Sequence, residues 1–596
     1  MNPLGEVTAS IGRKDYPRAL RLLDRLNAAR SRDPEMLGLY GYVNFKLGRF
    51  EQAETCVNRA LRNRSGDARL LNLLCNVEIA QGHLEGARKT ATRCLSADPG
   101  NADATFNLGC ICFRLGEYEQ AEKQFIEVLR HNPSSSEALT YLGLIRQRAS
   151  RLREALEYYD RALVTNPDSP EALQNKGVVL NQLLEPERAI VCLERANGRR
   201  PDNPTICQNL ASSYVLSGDS EKALHFFTKA IRLEPLNPEH HHWCNLFLWK
   251  EGREEFLQSY HEVLRESPDA HALRRELVQK LRLAKRFEEA EEQLDILIDK
   301  DASDPENFRL KGEILRNQRR FEEALDAHRT AHRLAQDDDA VREALATSYL
   351  SLHEAGKALE LIRQLTATDF GNQGYWALEA IALRLLDSEE YQWLYNYEQL
   401  VLKEHIEPPG GFSTLQQFNQ ELLDELRKHH TARTQPLDQS LLHGTQSLGD
   451  LFQDASEILR LLKNALDEKV TRFLRSLPSD ETHPVLARNK GNFSYAGAWS
   501  IMLESSGYHV NHFHSEGWYS GPYYVHLPRE VSDSNERHGW IKLGEPGFEM
   551  AEPLTADFIL KPEEGMLIRF PSCMWHGTYP FSSSDKRVIV GCDIVP

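Results

Sequence analysis

No run of apolar residues in this chain approaches the roughly 18 that a membrane-crossing helix needs, which argues against a spanning topology. The N-terminus, MNPLGEVTASIGRKDYPRALRLL, lacks the apolar stretch of about 7–15 residues that makes a secretory signal, so a cytoplasmic protein is expected. Cysteine is sparse, 10 in 596 residues, and Cys56, Cys75, Cys94, Cys110 and Cys112 form no CxxC pair. A disulfide scaffold is thereby excluded, and buried reduced thiols are expected instead. Basic residues are in deficit too. With 71 Lys plus Arg against 88 Asp plus Glu, a net charge of −17, there is no cationic surplus to neutralise a phosphate backbone, so nucleic acid is not an expected partner. What remains, 41% hydrophobic and 27% charged residues, is ordinary for globular chains, and the length calls for several domains.

What is present first is a ruler of 34 residues. Alanine recurs at Ala19, Ala53, Ala87, Ala121, Ala155, Ala189 and Ala223, and glycine at Gly48, Gly82, Gly116, Gly218 and Gly252. Pro99, Pro133, Pro167, Pro201 and Pro235 keep the same step, each where a residue without an N–H stops a helix. Within one unit, Leu108, Ile111, Leu115, Ala121, Phe125, Val128 and Leu129 mark the stripes of two amphipathic helices that turn at Gly116. After Gly252 the register slips by one and resumes at Ala290, Ala324 and Ala358, with Lys311-Gly312 in place of Leu-Gly.

Leu108-Gly109, Leu142-Gly143, Ala121, Phe125, Pro133, Tyr159 and Ala162 resemble the tetratricopeptide repeat family. The resemblance implies a superhelix of about eleven repeats over residues 1–405, whose groove takes a protein or peptide. The run Glu239-His240-His241-His242-Trp243 opens a helix, where adjacent side chains diverge, so a solvated or groove-lining histidine cluster is expected rather than a metal tract.

The repeat pattern fades after Trp376 and the aromatics Tyr391, Trp393, Tyr395 and Tyr397, and Glu407-Pro408-Pro409-Gly410-Gly411 breaks helix. Residues 406–440 are read as a linker. Apolar spacing from Leu448 to Leu477 predicts one long amphipathic helix ending before Pro478. From about Phe493, the runs WSIMLES, GPYYVHLP, DFILKP, GMLIRF and RVIVGCDIV alternate with Gly, Pro, Ser and Asp clusters, so residues 441–596 read as a β jelly roll with a supporting helix.

Two clusters there carry chemistry. In an extended segment positions i and i+2 share a face, so His512 and His514 can offer two imidazoles to one ion. The second cluster runs from Gly565 to Ser572, then His576 and Arg587; a third histidine on a turn closes a facial site with open coordination positions. His512-Phe513-His514, then Ser520-Gly521-Pro522-Tyr523-Tyr524-Val525, with Gly565 to His576, resemble the jelly-roll 2-oxoglutarate- and Fe(II)-dependent oxygenases over roughly Gly444 to Pro596. The resemblance implies an iron site at His512, His514 and His576, with Arg587 on the distal carboxylate of 2-oxoglutarate and Tyr524 beside it. A planar guanidinium suits that task because its fork bonds both carboxylate oxygens. It implies a dioxygenase that decarboxylates 2-oxoglutarate to succinate while oxidising a C–H bond, within walls such as Trp518, Trp575 and Phe570.

The wider superfamily has Asp or Glu where His514 stands, and three readings follow: three histidines on iron; His512 and His576 alone, with Glu516 or water completing the site; or a site that has lost iron. The functional alternatives are a hydroxylase whose repeats capture a protein substrate, an interaction scaffold with an inactive oxygenase-like domain, and an oxygenase acting on a small metabolite. His509, His526 and His538 are expected as hydrogen-bonded loop residues.

Overall fold

The computed structural model describes residues 3–430, 440–447, 449–533 and 535–596. Eleven helix hairpins run in sequence from Pro3 to Thr368 among the described residues. The alanines of the ruler sit where two helices touch. Ala19, Ala53, Ala87, Ala121, Ala155, Ala189, Ala223, Ala290 and Ala358 are fully buried, and a larger side chain at any of them would wedge its hairpin apart. The glycine of the first helix receives the ring of the second. A Cβ on Gly109 or Gly143 would stand 2.8 Å from Phe125 and 2.5 Å from Tyr159. At Gly312 the partner is instead His328, fully buried and held by Ser348 and the Arg309 carbonyl.

The turn glycines Gly48, Gly82, Gly116, Gly218 and Gly252 all have positive φ. Where the ruler skips a glycine, the same slot is filled by Ser150, Leu184, Lys285, Arg319 and His353, each held in the left-handed region. The one-residue slip has a local cause. The second helix of that unit starts only at Gln258 and ends at Glu266, nine residues instead of the usual fourteen, after turns that carry the buried Phe256 and Leu257.

Contacts divide the chain into two units, residues 1–180 with 191–201, and residues 181–190 with 202–596. The second unit carries the later hairpins and nine strands: β1 (Leu402–His405), β2 (Leu441–Gln446), β3 (Ser494–His509), β4 (Tyr519–His526), β5 (Ile541–Leu543), β6 (Phe558–Leu560), β7 (Met566–Pro571), β8 (His576–Thr578) and β9 (Arg587–Val595). They form a six-stranded sheet ordered β1-β7-β4-β9-β3-β2 and a three-stranded sheet ordered β6-β5-β8, antiparallel wherever strands pair. This is the expected jelly-roll arrangement.

Two expectations need correction. The stretch 406–440 is not a loose linker over its described part. The helix Leu415–Arg427 buries Phe418, Leu422 and Leu426 in the core under the sheets, and β1, directly before it, pairs with β7. The long helix expected from Leu448 begins at Glu457 and runs to Ser476; Leu451 sits instead on a short 3-10 turn. Asp450 and Asp454 accept from the amides of Phe452 and Ser456, and such local bonds offer the backbone an alternative to helix. Leu448 itself lies outside the described residues.

The fading aromatics of the last repeat serve the β region. The hydroxyls of Tyr391 and Tyr397 both reach the Asp557 carboxylate, and that of Tyr395 donates to the carbonyl of Cys573.

Candidate metal centre

β9 builds the floor of a cavity of about 640 Å³. Its period of two sends Arg587, Ile589, Gly591 and Asp593 to one face, and all four line the cavity. Registered opposite them are Ile501 and Trp499 of β3, facing Ile589 and Gly591, and Tyr524 and Pro522 of β4. Gly591 is required here, since a Cβ would come within 2.9 Å of the Trp499 indole nitrogen.

The three expected histidines meet on the cavity wall. His512 and His576 face each other in an isolated antiparallel bridge, exchanging backbone hydrogen bonds of 2.9 and 2.8 Å, while the His514 amide donates to Ser572 at 2.9 Å. One ring nitrogen from each imidazole lies within 4.8 Å of the others. Each ring is oriented from behind. Nδ1 of His512 lies 2.9 Å from the Val510 carbonyl, Nδ1 of His576 lies 3.0 Å from that of Met574, and Nδ1 of His514 lies 2.7 Å from both oxygens of Asp593. With Nδ1–H donating in each case, all three Nε2 atoms present lone pairs, those of His512 and His514 only 3.1 Å apart. Facing lone pairs repel unless a cation lies between them. Two ligands about 2.1 Å from one ion at right angles stand about 3 Å apart, so this spacing suits a metal.

Burial holds His512 neutral, its pKa pushed down to about 3, and pushes His576 well below the usual imidazole value. Neutral imidazole is the ligating form. The Ser440 hydroxyl sits 3.2 Å from Nε2 of His512.

Arg587 is 1% exposed, and its Nε and Nη1 have no hydrogen-bond partner among the described residues. Its guanidinium lies 5.3 Å from the ring centre of Tyr524, whose buried hydroxyl is likewise unpartnered. Burial lowers the Arg587 pKa from its ordinary value. A buried cation without an anion is costly, and a carboxylate entering the cavity would complete it. The donor set therefore fits both groups the resemblance implies, a metal ion at three imidazoles and a 2-oxo acid whose far carboxylate meets Arg587.

Other expected residues separate. Phe570 lines the cavity, whereas Trp518 is buried in the core with its indole nitrogen on the Val485 carbonyl, and Trp575 packs into the repeats. Glu516 is exposed and outside the histidine cluster. His538 pairs with Glu530 as a loop residue, whereas His526, expected in a loop, is the last residue of β4 and pairs with Glu564 and Asp585. His509, expected among them, lines the cavity. His240 and His241 are buried rather than solvated. With His242 they diverge to Gln208, Ser259 and Glu276 respectively. Asp593 was missed, although counting by twos along the strand from Arg587 reaches it.

Comparison with known families bears on both regions. Residues 497–593 match a family model described as "Putative 2OG-Fe(II) oxygenase". Tetratricopeptide repeat models match residues 10–75, 73–125, 113–170, 142–204, 204–235 and 280–339. Among solved structures, PilF of Pseudomonas aeruginosa is 20% identical at a TM-score of 0.32, covering 35% of this chain and 96% of its own. YrrB, a TPR protein with an unusual peptide-binding site, is 22% identical at a TM-score of 0.26, covering 31% and 96%. A human IFIT1 dimer with PPP-AAAA is 17% identical at a TM-score of 0.37, covering 56% and 82%. The search of curated proteins returned no match.

Proposed function

We propose that this chain, which carries tetratricopeptide repeats and a domain of the 2OG-Fe(II) oxygenase family, is a 2-oxoglutarate- and Fe(II)-dependent hydroxylase whose repeats recruit a protein or peptide substrate. We assign the repeats to the chain before β1, against the boundary at 405 expected from sequence, and give the oxygenase region β1 and the helix Leu415–Arg427 as well as 441–596. One observation carries the reading: a three-nitrogen cluster and a buried guanidinium with no anion among the described residues share one cavity. A dead scaffold has no physical need for either.

In this reading His512, His514 and His576 hold iron, and Asp593 supplies the carboxylate at one remove by fixing the ring of His514. Arg587 takes the distal carboxylate of 2-oxoglutarate, with Tyr524 alongside. When bound, iron and 2-oxoglutarate would supply the means to activate dioxygen, the oxidant, one oxygen atom going to the succinate formed with CO2 from the 2-oxo acid and the other to a C–H bond of the substrate. The chain's own work is to place the co-substrate and keep the site dry, with Trp499, Phe570 and Ile589 as apolar walls. Leu283, the last residue of a repeat helix (His271–Leu283), also lines the cavity, so a segment held by the repeats reaches the histidines without leaving them.

No described helix is long and apolar enough to cross a membrane, and the ten cysteines are buried and form no disulfide among the described residues, both in keeping with a cytoplasmic setting. The test is succinate release from 2-oxoglutarate by anaerobically iron-loaded protein exposed to oxygen, with and without cell extract. We expect slow release alone and faster release with extract. A protein that binds neither Fe(II) nor 2-oxoglutarate would leave the scaffold reading standing.

A further inference from the structure

The aromatic residues next to the candidate ligands pack on the repeats. Phe513, between His512 and His514, borders the same cavity and is partly buried against the repeat core, and Trp575 immediately precedes His576. The two rings meet edge to face, 4.8 Å between centres at 87°. Both rest on one repeat helix, Gln373–Leu385. The Trp575 indole nitrogen donates to the carbonyl of Ala377 at 2.9 Å, and Gly374 lies so close under Phe513 that a Cβ there would stand 3.0 Å from its ring. The Gln373 amide reaches the Ser515 carbonyl at 3.4 Å. Trp575 belongs to the core built from Leu350, Ile362, Ala377, Leu378 and Ile381, with Phe513 packed on it.

We propose that Phe513 and Trp575 are positioning residues that fasten the metal ligands to the repeat helix Gln373–Leu385, so that the last repeats form part of the metal site rather than a separate recruiting arm. This inference rests on the metal reading above. Each ligand is one residue from an aromatic that packs on the repeat core, so any shift of that helix reaches all three imidazoles through a single peptide unit. A competent metal site keeps its ligand distances within about 0.2 Å of their usual values, so imidazoles moved out of place hold the ion less well. A merely structural role for these rings predicts something different, a loss of overall stability with the metal environment unchanged.

The experiment uses full-length protein and Co(II) alone, read by titration and by its visible ligand-field bands, with thermal unfolding alongside. Gly374→Ala changes only the repeat helix, and Trp575→Phe keeps a ring while removing the bond to Ala377. Gly143→Ala, whose Cβ would meet Tyr159 at 2.5 Å in a hairpin of the first unit, serves as an overpacking control. We expect Gly374→Ala and Trp575→Phe each to weaken Co(II) about tenfold and shift its bands. Gly143→Ala should lose stability yet keep wild-type affinity and spectrum. In a Phe513→Leu background, Gly374→Ala should add nothing further, because the clash it introduces is gone. Wild-type Co(II) affinity and bands in both test variants would overturn the positioning role, as would an equal change in the control. A wild-type protein that binds no Co(II) would fail at the earlier step, sinking the metal reading and this inference with it.

Discussion

Replacing Arg587 with Met should move two quantities in opposite directions. Arg587 is 1% exposed, no anion among the described residues pairs with its guanidinium, and its neighbour is the Tyr524 ring at 5.3 Å. Holding an uncompensated cation in such a place costs several kcal/mol, of which a cation–π contact returns about 2. Methionine fills much of the same volume without the charge, so the ligand-free protein should gain about 1–3 kcal/mol. Binding of 2-oxoglutarate should suffer, since losing a charge-assisted, two-pronged pair in a dry pocket costs about 2–5 kcal/mol, a factor of about 30 to several thousand in affinity. Thermal unfolding with and without co-substrate separates the two effects. At a hundred times Kd, 2-oxoglutarate adds about 2.7 kcal/mol to the wild type, or about 5–10 °C for a domain of this size, and should add almost nothing to Arg587→Met. Calorimetric titration into anaerobic, iron-loaded protein gives the affinities directly. A variant that is less stable without ligand and binds 2-oxoglutarate as the wild type does would refute the reasoning on both counts.

Other outcomes follow from single contacts. Asp593→Asn removes the charge behind His514 and should weaken Co(II) binding about 10- to 100-fold in a metal titration, with the fold intact by circular dichroism. His514→Ala should abolish tight Fe(II) binding while Glu516→Ala leaves it unchanged; the reverse pattern in anaerobic titrations would restore the two-histidine site. His526, between Glu564 and Asp585, has its pKa raised to about 8, so its folded state gains stability that is complete below about pH 6.5 and lost as pH rises through 8. Urea unfolding of His526→Gln should show that pH-dependent step flattened by about 1 kcal/mol, a value kept small by partial exposure. Lys285→Gly should raise stability by about 0.5–1 kcal/mol in the same assay, because Lys285 is exposed and sits at φ 57°, where only glycine is unstrained.

The solenoid was legible because every unit must satisfy the same local constraint. An alanine crossing, a turn in the left-handed region and a stop repeat at fixed spacing, and even the slots without glycine keep the backbone angle the ruler demands, as Ser150 and Lys285 do. The candidate ligands were legible for a similar reason, since the two-residue period of extended chain puts His512 and His514 on one face. What escaped was non-local. β1 joins the sheet only through β7, some 160 residues later, and a four-residue run reading Leu-Lys-Glu-His carries no sign of that partner. The carboxylate missing from the first cluster was sought beside it in sequence, at Glu516, whereas Asp593 supplies it from the last strand.

The aromatics are the most instructive case. In an alternating segment, the residue next to a ligand reads as ordinary core, because periodicity assigns it a side but not a neighbour. Phe513 and Trp575 have for their neighbour the helix Gln373–Leu385, and that helix is where the repeat pattern begins to fade in sequence. The two facts have one cause. A repeat that also seats the segments carrying His512, His514 and His576 answers to two sets of contacts, so Gly374 under Phe513 and Tyr395 on the Cys573 carbonyl are fixed by what they hold rather than by the 34-residue period. Loss of periodicity at the end of a solenoid is then a signal in its own right, marking the place where the array stops packing on copies of itself and starts packing on something else.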